Sequence, residues 1–292
     1  MDARISDGTE LAESRLYTFL DERREFALYF LEGQKLIYDL ALLHGVAGPG
    51  FSYFREVVLS IQPMIALLKH GEQFGFYIDS EEPTFRLKLE TAHSGQTRSV
   101  IWPETFAEFP ESMSGKVRVQ KLFPQNRPPY ESILDVREQP LRAIVNSVLT
   151  RSYQVNSAVL VSSNADQSAM LHQLPPLPRA DDYELSSDAL AARRAALRER
   201  LQSTFDRALQ DPAEVENAFG DFGFRLLSSR EVFFRCTCTK ERILTTLQPI
   251  FLDDAASLFD PDRESLEITC EYCKKGYVVF RREMAEATDA PN

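Results

Sequence analysis

The chain has 292 residues, of which 43% are hydrophobic, so it is long enough to bury one large core or two smaller ones. Its 33 basic and 44 acidic residues give a net charge of −11, which disfavours nucleic acid and anionic membrane surfaces as general partners. Charged residues interrupt the N-terminal segment, and no apolar run approaches the ~20 residues of a membrane-spanning helix. These features predict a globular cytoplasmic protein that does not enter a membrane.

The N-terminal region begins with a predicted β-hairpin at residues 15–33, because two alternating apolar segments flank the charged stretch 21–25. Helical spacing follows at residues 34–44 and stops at the glycine-containing stretch 45–50. A second helix is predicted from Phe51, and Pro63 is expected to kink or divide it. Its apolar face consists of Phe54, Val58, Ile61, Ile65 and Leu68.

The patterns that follow are mainly those of strands. Alternation predicts two strands at 74–78 and 85–90, joined by a turn at 79–83, and the second strand has one solvent face. A further strand at 117–119 follows the poorly patterned stretch 93–113. A helix is predicted after Pro140, and a strand pair at 158–161 and 170–174. Together these elements predict an α+β fold for an N-terminal core of residues 1–178, in which helices pack on a mostly antiparallel sheet.

A charged helical linker is predicted at residues 179–229. Three prolines occur among Pro175, Pro176, Leu177 and Pro178, and this composition ends both helices and strands. Beyond them, one helix begins near Ser187 and a short one covers about 213–219. Leu190, Leu197, Leu201, Phe205 and Leu209 form an apolar stripe on the longer helix. This stripe could pack on the N-terminal core or bind a partner, and packing on the core is the more common origin of such a stripe.

All four cysteines lie between 236 and 273, as a Cys236-Thr-Cys238 pair and a Cys270-Glu-Tyr-Cys273 pair. Two close pairs of thiolates match a closed tetrahedral zinc site, which is the structural rather than the catalytic kind. The histidines, at 44, 70, 93 and 172, all belong to the preceding region and are not expected to be ligands. We therefore predict one Zn²⁺ bound by the four cysteines, and no catalytic residues.

These cysteines belong to a predicted zinc-binding domain of residues 230–284, followed by a disordered tail of residues 285–292. Between the pairs we expect a helix with Ile243, Leu244 and Leu247, a second helix with Phe251, Leu258 and Phe259, and a strand with Leu266 and Ile268. A module of this size barely offsets chain entropy by apolar burial alone, so zinc is expected to supply much of its folding free energy.

The zinc site admits two interpretations from its residues alone. Arg235, Lys240, Lys274 and Lys275 are near enough in sequence to stabilise thiolates and attract anionic oxidants. Peroxide or hypochlorous acid could then oxidise the sulfurs and release the metal. The other interpretation, a structural zinc site without redox function, is the more common one for four cysteines.

Residues 233–243 and 268–277 together resemble the redox switch of the 33 kDa chaperonin family, which are bacterial holdase chaperones. The resemblance rests on the C-x-C pair, the Thr-Lys-Glu-Arg segment that follows it, the distal C-x-x-C pair and the aromatic Tyr277. It extends to residues 152–157 and 170–175 of the core, and to the order of core, charged linker and C-terminal zinc module.

The resemblance implies a redox-regulated chaperone that is inactive when reduced and zinc-bound. It implies that oxidation joins Cys236 to Cys238 and Cys270 to Cys273, ejects zinc, unfolds the C-terminal module and destabilises the linker. Apolar surface would then hold unfolding client proteins during oxidative stress. The family also implies a homodimer of the oxidised form.

Two other functions compete with this interpretation. A thiol-disulfide oxidoreductase could use Cys270 and Cys273, but it would leave the other pair without a role and lacks a thioredoxin-like βαβ pattern. A structural zinc-ribbon adaptor could bind nucleic acid or a protein partner, but basic residues cluster only near 235–242 and 274–282.

Overall fold

The structure is a computed structural model that describes residues 11–125, 127–175, 187–259 and 263–288, without the side chains of 187–190 and 286–288. The chain divides into two compact units, Met1–Phe234 and Arg235–Asn292. Several predicted features fall outside the described residues: the boundary at 176–178, the start of the linker at 179–186 and the tail residues 289–292.

Two sheets form the framework of the first unit. In its described part the strands are β1 (Arg15–Asp21), β2 (Phe26–Glu32), β3 (Gln73–Glu82), β4 (Phe85–Ala92), β5 (Gln96–Trp102), β6 (Met113–Leu122), β7 (Tyr130–Gln139), β8 (Ser157–Val161), β9 (Gln167–Gln173), β10 (Phe224–Glu231) and β11 (Phe233–Phe234). The five-stranded sheet has the order β10-β1-β2-β9-β8, and the six-stranded sheet the order β11-β5-β4-β3-β6-β7. Neighbouring strands are antiparallel, except that β11 runs parallel to β5.

The helices described in this unit are α1 (Gln34–His44), α2 (Gly48–Ile61), α3 (Leu141–Ser147), α4 (Ser187–Phe205) and α5 (Pro212–Gly220). A 3₁₀ segment (Gln62–Leu67) continues α2, and a π-helical turn (Val148–Ser152) continues α3. The chain stops α1 at Gly45, whose φ of 61° is a left-handed conformation that glycine adopts without strain. Pro63 marks the change from α2 to the 3₁₀ segment, because it has no N–H to donate to the preceding turn.

The main core joins α1, α2 and α3 to both sheets. Phe54 of α2 and Ile144 of α3 are completely buried, together with Leu31 of the five-stranded sheet and Phe76 and Leu87 of the six-stranded sheet. Burial of these apolar side chains stabilises the first unit.

The opposite face of the five-stranded sheet is buried as well, in a second cluster that we call the linker cluster. Because side chains alternate along a strand, Phe26, Leu28 and Phe30 of β2 face this cluster while Leu31 faces the main core. Helices α4 and α5 cover it with residues such as Phe205 and Phe219. The full set of buried residues is Tyr17, Phe19, Phe26, Leu28, Phe30, Ala169, Leu171, Leu197, Leu201, Phe205, Leu209, Val215, Ala218, Phe219 and Phe224.

Most predicted elements of the first unit are confirmed. The hairpin, α1 and the pair β8–β9 lie where the patterns place them, and Pro63 does divide the second helix. That helix begins at Gly48 rather than at Phe51, since Pro49 is accepted in the first turn of a helix. The predicted turn at 79–83 is shorter than expected, because β3 continues to Glu82.

Four described strands of the first unit were missing from the prediction: β5, β7, β10 and the two-residue strand β11. In β5 the polar Thr97 and Ser99 are buried, so the strand lacks an apolar alternation. The edge strand β7 is largely exposed, with Val136 as its one buried position. Strand β10 pairs with β1 along residues 224–231. Because it is a largely exposed edge strand whose partner is distant in sequence, it lacks the apolar alternation by which strands are predicted.

The second unit contains α6 (Lys240–Asp253), α7 (Ala255–Leu258), β12 (Ser265–Thr269), β13 (Gly276–Phe280) and α8 (Arg281–Thr288). Strands β12 and β13 form an antiparallel pair. The prediction of a disordered tail from residue 285 is wrong for residues 285–288, because α8 continues to Thr288. The prediction that Phe251 belongs to a second helix is wrong, because α6 continues through Pro249 to Asp253. Proline removes one backbone hydrogen bond, but the N–H of Asp254 still donates to the carbonyl of Ile250 at 2.9 Å.

Candidate metal centre

Two turns of the second unit bring the four cysteines together. Cys236 and Cys238 precede α6, and Cys270 and Cys273 lie in the turn between β12 and β13. Their four Sγ atoms all lie within 4.8 Å of one another, and each cysteine is half-buried. The structure therefore brings together every cysteine that the sequence predicts as a ligand.

The four sulfur atoms lie close enough together for one tetrahedral zinc site. The Sγ atoms of Cys236 and Cys270 are 3.7 Å apart, and those of Cys238 and Cys273 are 3.2 Å apart. Zinc–sulfur bonds of about 2.3 Å in tetrahedral geometry place sulfurs roughly 3.8 Å from one another. Four soft thiolate donors at such separations form a cluster able to hold a metal ion.

Local hydrogen bonds shape both cysteine turns. The Thr239 side chain caps α6 by accepting the N–H of Arg242 at 3.3 Å, so the helix starts immediately after Cys238. In the second turn the N–H of Lys274 donates to the carbonyl of Cys270 at 2.9 Å, and the N–H of Cys270 donates to the carbonyl of Lys275 at 3.0 Å. Lys274 adopts a left-handed φ of 58°, which closes the turn around the sulfurs.

A tyrosine hydroxyl reaches the cluster from β13. The Tyr277 Oη lies 3.1 Å from the Cys238 Sγ and donates to the Cys238 carbonyl at 3.0 Å. Burial alone raises the pKa of Cys238, but hydrogen bonds with Tyr277 and Cys273 outweigh it and lower that pKa to about 7. Burial raises the pKa of Cys236 and of Cys273. The four sulfurs are therefore not chemically equivalent.

The basic residues near the cysteines have specific contacts of their own. Lys240 pairs with Glu283 of α8 at 2.6 Å, and the ammonium of Lys275 lies 5.1 Å from the ring centre of Tyr277. Arg242 donates to the carbonyl of Thr237 at 3.0 Å and to its hydroxyl at 2.6 Å. Arg242 thus holds the first cysteine turn, a function that the sequence analysis did not assign to it.

The four histidines lie in the first unit and not at the cysteine cluster. Burial lowers the pKa of His93 and of His172, which favours neutral rings. His172 Nδ1 lies 2.8 Å from the Ser157 hydroxyl. Their positions agree with the prediction that cysteines, and not histidines, form the candidate metal centre.

The apolar core of the second unit is small. In its described part the buried hydrophobic residues are Phe259, Tyr277, Val279 and Met284. Side chains such as Ile243 pack against this cluster but remain partly exposed. A core of this size leaves the folding of the unit dependent on the cysteine cluster.

Within the first unit, the apolar stripe of α4 is docked and not free. Leu197, Leu201 and Phe205 of α4, together with Leu209, are buried in the linker cluster, where the rings of Phe205 and Phe30 lie 6.2 Å apart. This confirms that the stripe packs on the core. Leu190, the first member of the predicted stripe, has a side chain outside the described set.

A buried ion cluster adds to this docking. The Arg193 guanidinium of α4 bonds to the carboxylates of Asp21 and Glu25 in the β1–β2 turn, and the Asp21 side chain is completely buried. Asp21 also accepts the backbone N–H groups of Glu25 at 2.7 Å and Phe26 at 3.1 Å. Removing Arg193 would leave a buried charge without its cation, which is far more costly than losing an exposed pair.

Amide side chains fasten the segment after α4. Gln167 of β9 donates through Nε2 to the carbonyl of Leu209 at 2.6 Å, and Gln210 donates to the Oε1 of Gln34 at 2.6 Å. These contacts join residues far apart in the chain, so no local sequence pattern could have predicted them.

None of the described helices is both long and apolar enough to cross a lipid bilayer.

Comparison with known proteins gives one consistent result. Residues 14–280 match the family model described as Hsp33 protein. The chain is 27% identical over 172 residues to the 33 kDa chaperonin of Hahella chejuensis, which covers 58% of each chain. It is 35% identical over 81 residues to that of Agathobacter rectalis, which covers 28% of each. It is 23% identical over 251 residues to that of Pseudomonas fluorescens Pf-5, which covers 83% of each.

The fold also matches a solved structure, the 33 kDa chaperonin (heat shock protein 33 homolog) of Thermotoga maritima. The TM-score is 0.70 at 13% sequence identity, and the match covers 94% of this chain and 97% of the other. At that identity the match shows a shared fold, and it includes both units of the chain.

Proposed function

Because the chain belongs to the Hsp33 protein family, we propose that it is a redox-regulated holdase chaperone that prevents the aggregation of unfolding proteins under oxidative stress. The observation that carries the proposal is the four-cysteine cluster in a unit whose own apolar core is small. The proposed division is a client-holding core at 1–178, a linker at 179–229 and a zinc-binding switch at 230–284.

In the reduced state Cys236, Cys238, Cys270 and Cys273 would hold one Zn²⁺ as thiolates. The metal, when bound, supplies a crosslink between the two cysteine turns, and its binding free energy becomes folding free energy of the second unit. The sulfur separations and the soft donor set support this assignment.

Oxidation would convert the ligands into disulfides. A thiolate attacks hydrogen peroxide, so that an S–O bond forms, the O–O bond breaks and hydroxide leaves. The second thiolate of the pair then attacks that sulfur, an S–S bond forms and a second hydroxide leaves. Two thiolates lose two electrons, the peroxide gains them, and two protons from solvent complete two waters. Two such reactions consume all four ligands.

The family pattern assigns the disulfides as Cys236–Cys238 and Cys270–Cys273, each within one turn. The two sulfur separations of 3.7 Å and 3.2 Å described above join cysteines of different turns. Peptide mapping of the oxidised protein therefore has to distinguish the two pairings. Either pairing removes the thiolates that hold the metal.

Loss of the switch would release the linker. The second unit starts at Arg235, directly after the strands that lead out of the linker region. With that unit unfolded, α4 would be free to leave its dock, which uncovers Phe26, Leu28 and Phe30 of the sheet and the stripe of α4 itself. A contiguous apolar surface of this kind can bind the exposed apolar segments of an unfolding client.

The remaining parts of the proposal follow from family membership. The partners would be unfolding client proteins, and the oxidised form would be a homodimer. The protein would act in the cytoplasm as a chaperone and not as an enzyme. Light scattering of the reduced and oxidised forms measures the change in oligomeric state.

The proposal is tested by aggregation of a thermally unfolding client, followed by turbidity, in the presence of reduced or peroxide-treated protein. We expect suppression by the oxidised protein only, with about one zinc per chain released on oxidation. Oxidised protein that is reduced again with zinc present, and should then lose the suppression, controls for unspecific effects of peroxide. Equal suppression by the reduced and oxidised forms would refute redox regulation.

A further inference from the structure

The hydroxyl of Tyr277 is the side-chain donor that meets the cysteine cluster most directly. Tyr277 lies on β13, is only 8% exposed, and places its Oη 3.1 Å from the Cys238 Sγ. The same hydroxyl donates to the Cys238 carbonyl at 3.0 Å, so it spans the backbone and the sulfur of one residue. A thiolate has no proton to donate, so the Cys238 sulfur accepts a share of the single hydroxyl proton, which the carbonyl of the same residue also accepts.

Two of the other sulfurs, those of Cys236 and Cys273, have backbone donors. The N–H of Cys238 donates to the Cys236 sulfur, and the N–H of Lys275 donates to the Cys273 sulfur. A substitution leaves such backbone donors in place. The donor to Cys238 is a side-chain hydroxyl, which can be removed or altered while the ring that packs in the unit is kept.

Resting on the switch chemistry proposed above, we propose that Tyr277 is a positioning residue that restrains the reactivity of Cys238 and so sets how readily the zinc site is oxidised. A hydrogen bond to a thiolate draws negative charge from the sulfur and lowers its nucleophilicity. The restrained sulfur attacks the peroxide oxygen more slowly in the step that forms the S–O bond and expels hydroxide. Tyr277 thereby keeps the cysteine cluster reduced and zinc-bound at low concentrations of oxidant.

The contact also fixes where Cys238 points. Since the Tyr277 hydroxyl is shared between the sulfur and the carbonyl of Cys238, it holds the side chain and the backbone of that residue in one arrangement. The ammonium of Lys275 lies over the ring, 5.1 Å from its centre. The ring is therefore confined between a cation and the cysteine turn, and Tyr277→Phe leaves that packing in place.

The test uses the full-length, reduced, zinc-loaded protein and its Tyr277→Phe variant. Iodoacetamide is the probe: the thiolate attacks its CH₂ carbon, an S–C bond forms, the C–I bond breaks and iodide leaves. Mass spectrometry gives the initial rate at each cysteine, before most molecules carry one label. We expect Cys238 to react about tenfold faster in Tyr277→Phe, as for loss of one hydrogen bond to a charged group. Rates at Cys236 and Cys273 should change by less than about twofold, because their backbone donors remain.

A control in the same unit is Thr245→Val, which removes the 3.0 Å hydrogen bond from the Thr245 hydroxyl to the Glu241 carbonyl within α6 and leaves both cysteine turns intact. It should leave the rate at Cys238 unchanged. Incorporation of 3-fluorotyrosine at 277 keeps the ring and makes the hydroxyl a stronger donor, so it should slow Cys238 and give a result even if Tyr277→Phe folds poorly.

Two results would overturn the proposal: an unchanged rate at Cys238 in Tyr277→Phe, or equal acceleration at all four cysteines with faster zinc transfer to a chelator, which is the signature of a merely structural tyrosine. None of these readouts requires chaperone activity. A protein with the selective effect at Cys238 but no client binding after oxidation would contradict the proposed function and leave the inference about Tyr277 standing.

Discussion

The first unit buries aromatic and aliphatic side chains on both faces of its five-stranded sheet, whereas the described part of the second unit buries little besides Phe259, Tyr277, Val279 and Met284. Burial of apolar surface stabilises the first unit. The second has four sulfur atoms in place of a large core. The contrast teaches that one chain can combine a part that is stable in itself with a part whose stability is conditional on its thiolates remaining reduced.

The linker region shares features of both parts. It docks on the first unit through completely or nearly buried residues such as Leu201 and Phe205, which favours a stable contact. The same docking includes the buried carboxylate of Asp21, which pairs with the guanidinium of Arg193 from α4. The contact of α4 with the first unit is therefore stable while Arg193 pairs with Asp21. Departure of α4 would leave the buried carboxylate of Asp21 without its cation, which is strongly destabilising.

The largest expected effect comes from removing zinc. A zinc chelator added to the reduced, full-length protein should unfold the second unit, because metal binding contributes on the order of 10 kcal/mol to such a module. Hydrogen exchange should then show unprotected amides in α6, β12 and β13, while those of β1 to β4 stay protected. Restoring zinc should restore protection. If the amides of the second unit stayed protected without metal, the claim that its folding depends on zinc would be contradicted.

Substitution of Arg193 should have the next largest effect, on the linker alone. Arg193→Met leaves the carboxylate of Asp21 buried without its cation and should destabilise the docking of α4 by about 3–5 kcal/mol. Limited proteolysis of the reduced, zinc-loaded protein should show earlier cleavage within α4. Arg198→Met, at an exposed position of the same helix, should leave cleavage unchanged.

A double variant makes the Arg193 prediction specific. Asp21→Asn keeps an oxygen that can accept the N–H groups of Glu25 and Phe26 but removes the stranded charge. In combination with Arg193→Met it should therefore recover part of the protection of α4. A double variant cleaved as fast as the single variant would show that packing, and not the ion cluster, holds this end of the helix.

The smallest expected effect is a pH dependence that differs between the two units. Burial raises the pKa of Glu32 to about 7, although the N–H of Gln34 opposes the shift and nearby Asp166 adds to it. From about pH 4.5 to 7 the folded first unit holds a proton that the unfolded chain has released, so its stability falls as the pH rises, by about 3 kcal/mol in total. The second unit should instead gain stability with rising pH, because protons compete with the metal for thiolates.

Glu32→Gln tests the first of these slopes. Urea unfolding can be followed by Trp102, the single tryptophan of the chain, which lies in the first unit. The variant should be more stable than the wild type at pH 8 and equal to it at pH 4. Glu56→Gln, in the same cleft on the surface of the first unit, is the control and should retain the wild-type slope. If the free energy of unfolding changed with pH in the same way in the wild type and in Glu32→Gln, the raised pKa of Glu32 would not be the cause of the pH dependence.

Local patterns predicted the hairpin and the first helices, since each depends on residues close in sequence. The four-cysteine cluster was predictable because each pair is itself a recognisable short motif, although the sulfurs that meet are 34 and 35 positions apart. Strand β5 was not predictable in this way, because Thr97 is buried through a hydrogen bond to Gln62, 35 positions away. The ion pair of Arg193 with Asp21 spans 172 positions, and a charged helix by itself indicates only a solvated face. The hydroxyl of Tyr277 at Cys238 likewise depends on how β13 pairs with β12.

The most direct test of the account follows zinc release, cleavage of the linker and client binding in the same peroxide-treated sample over time. Zinc can be read with a colorimetric chelator, cleavage within residues 187–229 by limited proteolysis, and client binding by suppression of aggregation. The account predicts that the three progress together and that all reverse after reduction with zinc present. If zinc were released while the linker stayed protease-resistant and aggregation continued unchanged, the cysteine cluster would be a structural metal site and the switch would be refuted.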